Sequence, residues 1–122
     1  MKLKENTWYK WEHKYQNCCY IELCKIKKII KSGRDKGHIL YTQIKYYEYI
    51  NGEIELEAYT TKEADKAFCD IYFGYFKICS DIQELMFYIL HKYYYKHFGF
   101  KIYSNEIPLT PDDCIPHLKN NS

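Results

Sequence analysis

The chain has 122 residues, of which 47% are hydrophobic and 28% charged, a balance that supports one folded domain with its own core. Its net charge of +2 is unevenly placed, because residues 1–40 carry a net charge of +6 and residues 41–70 a net charge of −4. This split excludes a polyanionic mimic of nucleic acid and sets a basic region beside an acidic one.

The start of the chain and its hydropathy bear on location. Met1–Trp11 lacks the apolar segment of a signal peptide. No stretch approaches the roughly 18 consecutive apolar residues that a membrane-spanning helix needs. We therefore expect a soluble, cytoplasmic protein whose six cysteines are free thiols.

Two strands are predicted in the first third of the chain. Thr7–Tyr15 alternates between two faces, and Cys18–Ile30 is a second, longer β-rich segment. The alternation is regular over Cys19–Leu23 and then blurs, which predicts a bulge or a strong bend near Lys25–Lys28. Lys31–Gly37, with two glycines, is predicted to be a loop.

A β-hairpin is the strongest structural prediction. His38–Ile50 and Glu53–Tyr59 are β-type segments on either side of Asn51-Gly52, a pair that favours a type I′ turn. A two-residue loop would set Tyr49 opposite Ile54 and Tyr47 opposite Leu56, so that the tyrosines join the apolar face. That face comprises Ile54, Leu56 and Ala58, and Glu53, Glu55 and Glu57 point the other way.

The second half of the chain carries two helix signals. Thr60 with Glu63 forms a capping box, which predicts a short helix over Thr60–Cys69. Tyr72–Ile78 is predicted to be extended. Ser80 with Gln83 forms a second capping box, which predicts an amphipathic helix over about residues 81–97. Its apolar stripe comprises Ile82, Leu85, Met86, Ile89, Leu90, Tyr93 and His97.

The end of the chain is predicted to be mostly irregular. Gly99 can stop the helix, and Phe100–Tyr103 can form a short strand. The residues from about 104 to 122 include three prolines and are predicted to be an irregular tail. The whole chain, 1–122, is interpreted as a single α+β domain, with an antiparallel β-meander or barrel core over about residues 7–79.

The opening residues Asn6–Trp11, followed by the meander, resemble small Src-homology-3-like barrel proteins of phages and mobile elements. A short helical turn before a fifth strand is how such barrels close. The resemblance covers about residues 5–79 and is one of pattern, so no functional residue is taken from it. It implies a non-enzymatic protein that binds a host protein or ribonucleoprotein complex in the host cytoplasm. An anti-CRISPR inhibitor of a host defence complex is an example.

Metal binding and catalysis find little support in the residue pattern. Cys18, Cys19 and Cys24 cluster, and Cys114 with His117 has the spacing of one zinc half-site, but structural zinc usually needs two half-sites. We therefore expect no metal and no cofactor. Nucleophile-elbow, Ser-x-x-Lys and His-Glu-x-x-His motifs are absent, so an enzyme ranks third among the functions considered.

Two binding functions remain. The basic segment, Lys25–Lys36, clusters cations that permit contact with the phosphates of RNA or DNA. The acidic hairpin, Glu48–Glu57, would repel those phosphates. A protein partner is favoured, because Trp8 and Trp11 point to opposite faces of the first strand. If Trp11 is in the core, Trp8 is expected to be exposed, and an exposed tryptophan is uncommon without a partner. The predicted contact residues are Trp8, Lys25, Lys27, Lys28, Lys31, Arg34 and Lys36.

Overall fold

Five antiparallel strands form one sheet, which packs against two helices. The computed structural model describes residues 2–98, apart from the side chains of three residues near the end of the second helix, Tyr95, His97 and Phe98. The predictions for Gly99, Phe100–Tyr103, the tail and the pair Cys114 and His117 lie outside these residues. The elements are β1 Thr7–Lys14, β2 Cys18–Ile29, β3 Ile39–Tyr49, β4 Ile54–Ala64, α1 Lys66–Tyr72, a 3-10 turn Phe73–Tyr75, β5 Lys77–Ile78 and α2 Ile82–Phe98.

The strand order β4-β3-β2-β1-β5 confirms the predicted antiparallel meander. Strand β5 pairs with β1, with Tyr9 opposite Ile78. The predicted bulge is also confirmed, since the β2–β3 register shifts between Ile26 and Lys28. The extra residue, Lys27, is accommodated where the apolar alternation of the sequence breaks down.

The turn of the β3–β4 hairpin differs from the prediction. Gly52 has a φ of +91°, whereas Asn51 does not adopt the positive φ that a type I′ turn requires. The amide of Gly52 donates to the carbonyl of Tyr49, and Tyr49 and Glu53 close a three-residue loop. The pairing therefore shifts by one residue: Tyr47 lies opposite Glu55 and Tyr46 opposite Leu56. Tyr47 and Tyr49 thus join the face of the glutamates, and the prediction that they join the apolar face is wrong.

The first helix begins later than predicted. Residues from Thr60 onward continue β4, with Glu63 opposite Leu40, so the proposed capping box at Thr60 is wrong. Asp65 is the actual cap, because its Oδ1 accepts from the amide of Phe68 at 2.8 Å. The segment predicted to be extended forms the end of α1 and the 3-10 turn, and only Lys77–Ile78 of it is a strand.

Hydrophobic side chains cover both faces of the sheet. On one face, Trp8, Leu23 and Ile44 pack with Met86 and Ile89 of α2, which confirms the predicted helix and its apolar stripe as far as Tyr93. Tyr9, Ile26 and Tyr41 belong to a cluster on the opposite face, where the residues from α1 to the end of the 3-10 turn pack.

Trp8 is buried by this arrangement. It is 8% exposed beneath α2, whereas Trp11 is half-buried on the other face. The prediction that Trp8 is exposed is therefore wrong, because it assumed that β1 has only one buried face. Neither helix in the described part of the chain is both long and apolar enough to cross a membrane.

Candidate functional site

An aromatic surface lies on the sheet face that carries α1, on the part of that face beyond the helix. Its side chains come from three adjacent strands and share one face because their positions are cross-strand partners, as His13, Tyr20 and Tyr47 are. We call this surface the aromatic platform; it consists of Trp11, His13, Tyr15, Tyr20, Tyr47 and Tyr49.

The rings of the aromatic platform contact one another continuously. Trp11 stacks on His13 with centroids 5.5 Å apart, and Tyr47 stacks on Tyr49 with an interplanar angle of 9°. Tyr20 joins the two stacks, since its centroid lies 4.8 Å from that of Tyr47 and 5.6 Å from that of Trp11. Tyr15 is 43% exposed, so the platform offers ring surface to a ligand. Tyr20 is buried and forms the base on which the exposed rings rest.

A buried carboxylate holds that base in place. Glu22 is 1% exposed, and its Oε1 accepts from the hydroxyl of Tyr20 at 2.5 Å. Its Oε2 accepts from Gln43 Nε2 at 2.7 Å, from the Cys24 thiol at 3.4 Å and from the hydroxyl of Tyr72. These donors satisfy the buried charge and tie α1 to the aromatic platform through one residue.

The tyrosines around Glu22 stay protonated. Burial, followed by the hydrogen bond to Glu22, raises the pKa of Tyr20 and that of Tyr72 well above the usual value. Both hydroxyls therefore remain donors at physiological pH. The hydrogen bonds to Glu22 therefore fix the orientation of both rings.

A row of carboxylates borders the platform along β4. Glu55 and Glu57 lie on the platform face of β4, opposite Tyr47 and Lys45 respectively. Glu53 precedes the strand by one residue, and its carbonyl accepts from the amide of Tyr49. The hydroxyl of Tyr49 donates to Glu55 at 3.2 Å. We call Glu53, Glu55 and Glu57 the glutamate row; it gives this margin of the platform a negative charge.

The predicted basic segment, Lys25–Lys36, lies around the loop between β2 and β3, at the end of the sheet opposite the glutamate row. The expectation that the basic region lies beside the acidic one is therefore wrong, because β3 separates the two along its length. Lys28, Lys31, Arg34 and Lys36 are exposed there, and Lys25 is half-buried. Lys27 donates to Thr61 Oγ1 at 2.9 Å. The structure thus brings the cations together, while the buried Trp8 is not available to a partner beside them.

A possible cation site lies near the same loop. The ligand atoms of Asp35, His38 and Glu63 are within 4.8 Å of one another, and His38 Nδ1 lies 2.8 Å from Glu63 Oε2. The hydrogen bond to Glu63 raises the pKa of His38, so a proton competes with any metal ion for the imidazole. The His38–Glu63 contact therefore stabilises the fold in mildly acidic solution, where His38 is protonated, and weakens as the pH rises through the raised pKa of His38.

The five described cysteines are free. Burial raises the pKa of Cys69 to about 11 and that of Cys79 to about 12, and it raises the pKa of Cys24 further above its usual value. These three buried thiols are therefore poor nucleophiles. Cys19 is exposed in a shallow cleft of about 530 Å³ between β1, β2 and α2.

Comparison of the chain with protein-family models, with curated proteins and with solved structures found no match. Sequence reasoning placed the contact at the basic segment and missed the aromatic platform. The one available signal was the shared parity of Trp11, His13 and Tyr15 on the first strand.

Proposed function

We propose that this chain is a non-enzymatic protein-binding module whose contact surface is the aromatic platform. The observation that carries the proposal is the continuous set of ring contacts across three strands, on a part of the sheet that residues 2–98 leave partly exposed. Tyrosine and tryptophan are enriched at protein interfaces, where their large rings bury area at little entropic cost. A surface prearranged by Glu22 loses little further freedom on binding.

The resemblance to Src-homology-3-like barrels of phages and mobile elements is part of this proposal. It is supported by strand β1, which pairs with both β2 and β5, and by the helical turn Phe73–Tyr75 just before β5. In this reading the chain inhibits a host defence complex by binding it stoichiometrically, as an anti-CRISPR protein does.

An RNA- or DNA-binding protein is the second candidate. The observation that favours it is the exposure of Lys28, Lys31, Arg34 and Lys36 on one loop and its flanking strand end. The platform could stack bases, but the glutamate row beside it would repel a phosphate backbone.

Replacement of two accessible platform rings tests the proposal. The full chain carrying Tyr15→Ser and Tyr49→Ser is compared with the wild type in pull-downs from the candidate host, and captured proteins are identified by mass spectrometry. We expect specific captures to fall by about tenfold or more, since aromatic anchors dominate interface energetics.

The matched control is Tyr75→Ser, which removes an equally large ring that is 72% exposed on the 3-10 turn. We expect this variant to capture partners as the wild type does. Equal capture by all three proteins would reject the platform as the contact surface. A strong, salt-sensitive gel shift with nucleic acid would favour the second candidate instead.

A further inference from the structure

The glutamate row has the spacing of a strand. Glu55 and Glu57 pair with residues of the platform face on β3, and Glu53, just before the strand, continues their alternation with the buried Ile54 and Leu56. Residues two apart on a strand are separated by about 7 Å. The row therefore presents three negative charges at a regular interval along one margin of the aromatic platform.

Aromatic rings lie next to these carboxylates on the same face. Tyr47 is the cross-strand partner of Glu55, and the Tyr49 amide bonds to the Glu53 carbonyl. A cation held by the glutamates can therefore also contact a tyrosine ring, which attracts cations through its π face. Lys45 opposite Glu57 offsets part of the charge, and Lys96 does the same because its Nζ lies near Gly52, the residue before Glu53. The three carboxylates still outnumber these two cations.

We infer that the platform binds an extended segment of a partner protein that carries lysine or arginine at alternate positions. An extended chain directs every second side chain to the same side, at the interval of the glutamate row. The cationic heads would contact the glutamates, and their aliphatic stems would cover the rings of Tyr47 and Tyr49. This inference rests on the proposed function and adds the chemistry of the partner to it.

Two other ligands for the platform, the end of the chain itself and nucleic acid, complement its negative charge less well. Residues 99–122 of the chain itself carry two lysines against three acidic residues, so they lack the complementary charge. A nucleic-acid backbone has the same sign as the glutamate row. A cationic protein segment is the ligand that both the carboxylates and the rings attract.

The test uses a synthetic ten-residue peptide of alternating lysine and threonine, with a peptide of alternating glutamate and threonine as the charge control. Binding to the ¹⁵N-labelled full chain is followed by NMR titration at low and physiological salt. We expect the lysine peptide alone to change the amide chemical shifts, with the largest changes at Tyr47, Tyr49 and Glu55. We expect the triple variant Glu53→Gln, Glu55→Gln, Glu57→Gln to bind about tenfold more weakly, as the loss of three modest charge contacts implies.

A second triple variant separates local charge from net charge. Glu12→Gln, Asp70→Asn and Glu84→Gln remove three exposed acidic groups elsewhere on the chain, and we expect wild-type affinity. Equal weakening by both triple variants, or absence of shifts on the platform, would overturn the inference. If the lysine peptide fails while host captures still depend on Tyr15 and Tyr49, the protein-binding proposal stands and the partner chemistry falls. If those captures are independent of both tyrosines, the proposed function falls as well.

Discussion

Glu22 is the residue on which the candidate surface depends most. Its carboxylate is buried between the sheet and α1, and it accepts hydrogen bonds from Tyr20 on β2, Gln43 on β3 and Tyr72 on α1. A buried charge is costly unless it is fully hydrogen-bonded, and here two of the donors, Tyr20 and Tyr72, also contact neighbouring aromatic rings. The residue thus links the stability of the fold to the geometry of the platform.

Glu22→Gln is expected to lower the free energy of unfolding by about 1–3 kcal/mol. The amide nitrogen of glutamine replaces an acceptor with a donor, which leaves at least one of the tyrosine or glutamine donors without an acceptor. Urea denaturation followed by tryptophan fluorescence would measure the change.

The control is Glu55→Gln, which alters an exposed carboxylate that also accepts from a tyrosine hydroxyl. We expect it to shift stability by no more than about 0.5 kcal/mol. A Glu22→Gln protein that unfolds at the same urea concentration as wild type would show that the buried network contributes nothing to stability.

At the scale of elements, the sheet is stabilised from both sides. Strand β1 contributes Trp8 to the cluster under α2 and Tyr9 to the cluster under α1. The long helix is held by a stripe at helical spacing, including Met86, Ile89 and Leu90. Helix α1 has only seven residues, so its position depends on Cys69 and on the following Phe73 and Phe76 rather than on its own helical stability.

Ile89→Asp is expected to abolish cooperative unfolding or to cost several kcal/mol, because it places an unpaired charge at a fully buried position. Thermal denaturation followed by circular dichroism would detect the loss. Gln83→Asp, on the exposed side of the same helix, should melt within a few degrees of wild type. A wild-type melt for Ile89→Asp would mean that α2 is peripheral to the fold.

Over the whole molecule, two surfaces of opposite charge lie at opposite ends of the sheet. Strand β3 runs for 11 residues from the basic loop to the hairpin that bears the glutamate row. At about 3.3 Å per residue this corresponds to about 35 Å, well beyond the screening length of about 8 Å at physiological salt. The two surfaces should therefore bind their ligands independently of each other.

Reversal of Lys28, Lys31, Arg34 and Lys36 to glutamate tests that independence. These residues are exposed, so we expect stability to change by less than about 1 kcal/mol. Any gel shift with nucleic acid should be lost, and binding of the alternating lysine peptide to the platform should be retained. Reversal of Lys2, Lys4, Lys14 and Lys77 makes the same change in net charge at other exposed positions and serves as the control. Equal effects of the two sets on the gel shift would show a response to net charge alone.

The sequence by itself determined the features that arise from local patterns. Alternation predicted the strands, the break in alternation predicted the bulge at Lys27, and helical spacing predicted α2, because these follow from the period of each element. Tertiary structure decided the rest. The three-residue loop at Gly52 turned Tyr47 and Tyr49 to the glutamate face, since a shift of one residue reverses every side chain.

The candidate surface likewise depends on contacts between residues far apart in the chain. Trp11 lies on β1 and Tyr49 at the end of β3, with the whole of β2 between them in the chain. Only the register of these three strands places both rings on one platform. The burial of Trp8 and Glu22 depends on helices that follow the meander and cover both faces of the sheet. Local propensity contains no information on such coverage, because the free energy that decides it comes from burial between elements.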